Sequence, residues 1–201
     1  CPECPYNYIS NKFSLIEPTG ANFLWEDPNL EYAHHEIVEL PWGDYMGIVQ
    51  VYQDGPVAPN IWNQEYIDVD CPPDWTDYCW PWMGNQLVIW DKDTKAVNWS
   101  WSTFDHFDMR DFHPDEWDQI PVDNNEIIPF DWTHVNAFYF DDRDSTILIS
   151  TRNLSRITKI QYPSGEMIWN MGHEIISPIT GSASGDVTFG KDLGFSRQHY
   201  V

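Results

Sequence analysis

The stretch Lys159-Ile160-Gln161-Tyr162-Pro163-Ser164-Gly165, which continues to Trp169, indicates the fold class. A short apolar strand enters a turn of Pro, Ser and Gly, and a second strand leaves it, which is the pattern of a β-hairpin. The same pattern, with Trp at nearly the same offset, recurs at residues 15–25 and 88–99. Three similar hairpins predict an all-β protein in which the Trp side chains pack between neighbouring sheets.

Further strands lie between the hairpins. Residues 36–51 and 137–150 each contain two short apolar strands around a polar turn. Repeated hairpins separated by more strands predict a β-propeller, whose blades are small antiparallel sheets. A blade takes roughly 40 to 50 residues, so a chain of 201 residues would hold about three to four blades. A β-sandwich is the competing fold.

Two segments are predicted to be long loops. Residues 53–83 and 104–130 are rich in Pro, Asp and Trp and carry no regular strand pattern. We interpret both as excursions from a single partial propeller domain that spans residues 1–201.

The composition restricts the partners of this acidic protein. The chain has 10 Lys and Arg against 32 Asp and Glu, which argues against a nucleic-acid partner, since phosphate binding needs clustered cations. The hydrophobic fraction of 42% and aromatic fraction of 16% argue against disorder. No transmembrane segment is apparent, so no membrane partner is predicted. The acidic run 108–118 lacks the spacing of an EF-hand loop, and we predict no metal and no cofactor.

The four cysteines are expected to form disulfides. Cys71 and Cys79 bracket a short loop containing Pro and Trp, which is typical of a disulfide-closed loop in an oxidising compartment. Cys1 and Cys4 form a C-x-x-C pair that also occurs in zinc sites and redox motifs. Disulfides are favoured over zinc or free thiols because no second C-x-x-C and no βαβ pattern is present.

Three motifs in the last third of the chain place basic side chains in this acidic protein. His134 lies in the segment 131–136, Arg152 in the segment 150–153 and His199 in the segment 195–199. Together they predict a site for an anionic group. Each also has an ordinary structural interpretation: a buried hydrogen-bonded histidine for His134, an ion pair for Arg152, and a surface histidine for His199.

In order and approximate spacing, these motifs resemble the arylsulfotransferase family from residue 13 to the end of the chain. The matching segments are His-His-Glu-Ile at 34–37, Leu-Pro-Trp-Gly-Asp at 40–44, Asp-Trp-Thr-His-Val-Asn at 131–136, Ile-Ser-Thr-Arg-Asn at 149–153, Ile-Thr-Lys-Ile at 157–160, residues 165–172, and Phe-Ser-Arg-Gln-His at 195–199. Each motif is weak alone, but the ordered set is fairly specific.

The resemblance implies a six-bladed β-propeller with its site at the centre of one face. It also implies transfer of a sulfuryl group from an aryl sulfate donor to a phenol acceptor, without a nucleotide donor. By resemblance, His199 is the nucleophile that becomes sulfated, and His134, Arg152 and His35 bind the sulfuryl oxygens. Asn136 supports substrate binding at the same site.

His34 and His35 are difficult to separate from sequence. Strand alternation predicts that they point to opposite faces, and the spacing favours His35 for catalysis, with His34 assigned to substrate binding.

The position of the motifs within the chain leaves three explanations open. Family members continue beyond the segment that ends here at His199, and usually have blades before the one at His34. The sequence would then be a fragment, be completed by another chain, or represent a reduced relative without activity.

The last explanation corresponds to an extracellular structural or binding protein built on propeller blades. Asn98 and Asn153 begin glycosylation acceptor patterns, in keeping with a periplasmic or secreted location.

Overall fold

The computed structural model describes residues 33–56, 79–109, 129–172 and 197–199, together with four short strands outside these ranges. The described part is all-β apart from one four-residue helix, so the predicted fold class is confirmed at this level. No helix among the described residues is long and apolar enough to cross a membrane.

The strands form two antiparallel sheets and two small hairpins. The elements in chain order are β1 Ser14–Ile16, β2 Asn22–Leu24, β3 Ala33–Glu39, β4 Tyr45–Pro56, β5 Cys79–Trp90, β6 Val97–Ser102, α1 Thr103–His106, β7 Val122–Asp123, β8 Glu126–Ile127, β9 Phe130–Asp131, β10 Val135–Asp141, β11 Thr146–Thr151, β12 Arg156–Gln161 and β13 Met167–Gly172. The first sheet has the order β3-β4-β5-β6, with β9 parallel to β5, and the second has the order β10-β11-β12-β13. Apart from β9, strands that are consecutive in the chain are neighbours in both sheets. These two sheets are not closed into a ring within the described residues.

All three predicted hairpins are present, as β1–β2, β5–β6 and β12–β13. The turn between β5 and β6 forms because Asp91 accepts hydrogen bonds from the backbone N–H groups of Thr94 at 2.7 Å and Asp93 at 3.0 Å. The bond from Thr94 is the main reason why the pKa of Asp91 is lowered. At the turn between β3 and β4, Gly43 adopts a φ of +96°, a conformation that glycine tolerates best.

The main core lies between the two sheets. Its buried side chains alternate along the strands, as expected when one face of each sheet is covered. They include Met46, Ile48, Leu87 and Ile89 from the first sheet, and Val135, Phe138, Ile147, Ile149 and Ile160 from the second.

Two tryptophans of β6 join the sheets. The indole N–H of Trp99 donates to the carbonyl of Pro163 at 2.8 Å, and that of Trp101 donates to the carbonyl of Gly165 at 3.0 Å. Both carbonyls belong to the turn between β12 and β13. The predicted position of a hairpin Trp between sheets is therefore confirmed for Trp99, whereas Trp25 lies outside the described residues.

The predicted long loops are shorter than expected at their edges. β4 continues to Pro56 and β5 begins at Cys79, although the loop was expected over 53–83. The long pairing of β4 with β5 satisfies the hydrogen-bonding groups of their backbones. The many Pro and Trp residues in this segment had predicted a loop instead. Within 104–130 lie most of α1, the β7–β8 hairpin and the first residue of β9. Cys1, Cys4 and Cys71 are outside the described residues, so the predicted disulfides stay a prediction.

The first strands of the two sheets lie side by side. β3 and β10 are both edge strands, and the Glu36 carboxylate accepts a hydrogen bond from the backbone N–H of Phe138 at 3.4 Å. This junction brings the ends of β3 and β10 together, and the candidate site lies there.

Candidate functional site

A bulge in β3 places two histidines next to each other. The pairing with β4 shifts between His34 and Ile37, and His35 has a φ of +64°. The expectation that His34 and His35 point to opposite faces was wrong, because a bulge interrupts strand alternation and redirects side chains. Their ring centroids are 4.6 Å apart in an edge-to-face arrangement.

His134 lies in the short connection between β9 and β10. Its Nδ1 shares a hydrogen bond with the Oδ2 of Asp131, and both side chains are partly exposed. When Asp131 accepts the Nδ1–H, the proton is fixed on that nitrogen and Nε2 is left as the acceptor. The His134 ring is 5.5 Å from that of His35 and has a backbone φ of +47°.

His199 reaches the same place because its segment is anchored on the second sheet. Asn136 Nδ2 donates to the carbonyl of Gln198 at 2.7 Å. The side chain of Gln198 donates to the carbonyls of Thr151 at 3.2 Å and Arg156 at 2.9 Å. The exposed His199 ring is thereby held 5.9 Å from that of His134. The rings of His34, His35, His134 and His199 form a continuous row, which we call the histidine row.

A main-chain hydrogen bond holds Arg152 next to His134. Its backbone N–H donates to the carbonyl of His134 at 3.1 Å, and its Nη1 donates to Asn153 Oδ1 at 2.6 Å. Asn153 is 4% exposed, and its own amide donates to the carbonyl of Asp131 at 2.5 Å. These bonds fix the turn that carries Arg152 against the segment that carries His134.

The same contacts bear on the two glycosylation patterns. A glycan on Asn153 would displace the amide of this buried residue from Asp131, whereas Asn98 is exposed and its amide makes a 3.3 Å contact with Asp44. Of the two, Asn98 is therefore the one accessible to modification in the folded protein.

Burial and mutual repulsion keep part of the histidine row neutral. Burial, followed by the neighbouring His35 and His134, lowers the pKa of His34 to about 4. The pKa of His35 is also lowered, by partial burial and then by His134 and His199, although the residue remains accessible to solvent. Asp131 opposes both shifts. Neutral imidazoles can each accept one hydrogen bond and donate another.

Two residues of this site were missed from the sequence. Asp131 lies three positions before His134, in the same motif as His134 and Asn136. This spacing was the signal from which a contact between Asp131 and His134 could have been predicted. Asn85 donates from Nδ2 to His34 Nε2 at 2.9 Å, but it lies in an apolar strand far from the motifs. No group of three or more His, Cys, Asp or Glu among the described residues is placed to hold a metal ion.

The neutral state of His34 predicts how stability depends on pH. The folded-state pKa, about 4, lies below the usual value of 6.5, so between these values the unfolded chain binds more protons. The stability contributed by neutral His34 is present above pH 6.5 and is lost as the pH falls towards 4. We expect the free energy of unfolding to drop by about 2 kcal/mol over this range, discounted for partial solvent access. Urea denaturation at a series of pH values measures it.

The control for this prediction is His34→Gln. The Gln carbonyl retains an acceptor for Asn85 but does not titrate, so the variant should lose less stability than the wild type as the pH falls. Identical pH dependence in the two proteins would contradict the prediction.

In the described residues, the fold and site define an all-β protein of antiparallel sheets. Imidazole rings from β3, from the connection between β9 and β10 and from residues 197–199 meet at the junction of the two sheets. A family model described as Arylsulfotransferase (ASST) matches residues 81–178, slightly less than half of the chain. The resemblance expected from the sequence is confirmed over this segment, which is arylsulfotransferase-like. The matched segment contains Asp131, His134 and Arg152, whereas His35 and His199 lie outside it. The curated proteins contain no significant match to the chain.

Proposed function

We propose that the protein transfers a sulfuryl group from an aryl sulfate to a phenol through a sulfated His199. The observation that carries the proposal is the approach of the His199 ring to His134, whose Nδ1 is occupied by Asp131. A nucleophile beside a histidine that is itself oriented by a carboxylate is the arrangement typical of covalent group transfer. The family match over residues 81–178 supports the same reaction class.

The reaction balances in two half-reactions. In the first, a ring nitrogen of neutral His199 attacks sulfur, an N–S bond forms, and the S–O bond to the donor breaks with release of a phenolate. In the second, the oxygen of the acceptor phenol attacks sulfur, the N–S bond breaks, and His199 is regenerated. The unprotonated Nε2 of His134 is suited to take the proton of the acceptor phenol.

The neighbouring groups would stabilise the group in transfer. A sulfuryl group carries negative charge on three oxygens, so donors aimed at these oxygens lower the barrier, as in phosphoryl transfer. Arg152 supplies a permanent charge and a planar set of donors. A neutral His35 supplies a ring N–H without repelling the nucleophile. No cofactor takes part in this scheme.

We further propose that the two sheets are blades of a six-bladed propeller. Each is a meander of consecutive antiparallel strands, which is the arrangement of a blade. The side-by-side placement of β3 and β10 is consistent with innermost strands around a central axis. A periplasmic or extracellular location, where the predicted disulfides would persist, completes the proposal.

Turnover of p-nitrophenyl sulfate with phenol as acceptor tests the function. We expect nitrophenolate release that depends on phenol, with parallel lines in double-reciprocal plots, because a covalent intermediate gives ping-pong kinetics. Without acceptor, one equivalent of nitrophenolate should appear as a burst, and donor labelled with sulfur-35 should label the protein. A folded protein that gives neither release nor label would contradict the proposal and favour a non-catalytic binding protein built on propeller blades.

A further inference from the structure

Asn85 connects the two sheets beneath the histidine row. It lies in β5 of the first sheet and is 2% exposed. Its backbone N–H donates to Thr103 Oγ1 at 3.0 Å, which holds its main chain in place. Its side-chain oxygen accepts hydrogen bonds from Thr133 Oγ1 and from the backbone N–H of Val135, both at 2.8 Å. These two donors are the immediate neighbours of His134.

The two donors on the oxygen determine which way the amide faces. Because Oδ1 receives both hydrogen bonds, Nδ2 must point towards His34, where it lies 2.9 Å from Nε2. An amide nitrogen only donates, so Nε2 of His34 accepts and the ring proton resides on Nδ1. One side chain therefore sets the protonation of His34 and also fixes both residues that flank His134.

We propose that Asn85 is a positioning residue for sulfuryl transfer, acting by holding His34 as the neutral Nδ1–H form and by fixing the 133–135 turn against it. His34 then packs its neutral ring edge-to-face against His35, and the turn presents His134 to His199. The catalytic half of this inference rests on the proposed function, whereas the assignment of the His34 tautomer does not.

An amide is the group that satisfies all three partners. A carboxylate at position 85 would accept from Thr133 and Val135, but it offers no proton to Nε2 and would attract one to it. An aliphatic side chain would leave a buried O–H and a buried N–H without an acceptor, which is expensive. The titratable groups that act on His34 among the described residues are His35 and His134, which oppose its protonation, and Asp131, which favours it.

The test is a pH titration of nitrogen-15-labelled histidines by NMR, with His34 assigned from the His34→Gln spectrum. In the wild type we expect the Nδ1–H tautomer and a low midpoint for His34. In Asn85→Asp, the buried carboxylate should raise that midpoint by at least one pH unit. Asn98→Asp is the matched control, because this exposed residue undergoes the same chemical change far from His34 and should leave the midpoint in place.

Kinetic measurements then distinguish a positioning role of Asn85 from a purely structural one. Asn85→Asp should reduce kcat about tenfold or more near pH 7, because small displacements of catalytic groups cost large factors in rate, and it should move the acidic limb of the kcat profile upward with the His34 midpoint. A wild-type His34 protonated on Nε2 would overturn the proposal, even if the variant fails to fold. An unchanged midpoint in Asn85→Asp would also overturn it. If the wild type does not turn over aryl sulfate, the proposed role of Asn85 in catalysis is contradicted. The assignment of the His34 tautomer is tested separately, by the spectra recorded without substrate.

Discussion

His199→Ala is expected to reduce kcat/KM for aryl sulfate turnover by about 10⁴-fold or more, as is usual for removal of a covalent nucleophile. Without the imidazole, no group is left to receive the sulfuryl group, and the remaining donors can only assist direct attack by the phenol. His199 is exposed, so its loss should not unfold the protein. Steady-state kinetics measure the fall, and sulfur-35 labelling shows whether the intermediate still forms.

Added imidazole provides the control for this variant. A small nucleophile that occupies the space of the deleted ring should restore part of the nitrophenolate release, while the protein itself stays unlabelled. A His199→Ala protein that still acquires one equivalent of label would show that another residue carries the sulfuryl group, and would contradict the proposed role.

Asp131→Asn is expected to lower kcat by about 10² to 10⁴-fold, because a histidine deprived of its orienting carboxylate can adopt the wrong tautomer. When the neutral His134 ring donates its Nδ1–H to Asp131, Nε2 is the nitrogen left to act as a base. The amide of Asn can instead donate to Nδ1, which moves the ring proton to Nε2 and removes the base. Kinetics in the presence of phenol, with the His134 tautomer read from nitrogen-15 spectra, measure both consequences.

Asp144→Asn is the matched control for this second variant. The Asp144 carboxylate is half exposed and pairs with Lys159 Nζ at 2.8 Å in the second sheet, away from the histidine row. The same substitution there should leave kcat within twofold of the wild type, since surface ion pairs contribute little. Equal activity of Asp131→Asn and Asp144→Asn would argue against an orienting role for Asp131.

The hairpins could be predicted from the sequence because their signals are local. Alternating apolar residues and turn residues such as Asp91 and Gly43 act within a few positions, and the structure places turns where these residues occur. The ordered motifs likewise pointed to the segments that carry His134, Arg152 and His199.

The remainder depends on contacts between distant parts of the chain. Asn85 meets His34 and Thr133 at separations of 51 and 48 residues, and nothing in its own strand indicates either partner. The adjacency of His34 and His35 depends on a bulge that strand alternation cannot anticipate. The long pairing of β4 with β5 was not predicted, because the segment is rich in Pro and Trp and was therefore interpreted as a loop.

The left-handed backbone of His35 and His134 has a consequence for engineering. Residues other than glycine in this conformation each cost on the order of 1 kcal/mol, and such residues tend to cluster at functional sites. Glycine at these positions would relieve that cost locally, but it would delete the imidazole that the conformation presents. Thermostabilised versions of this protein should therefore be sought in the sheets and their outer turns, because gains in melting temperature at these two histidines would come at the expense of turnover.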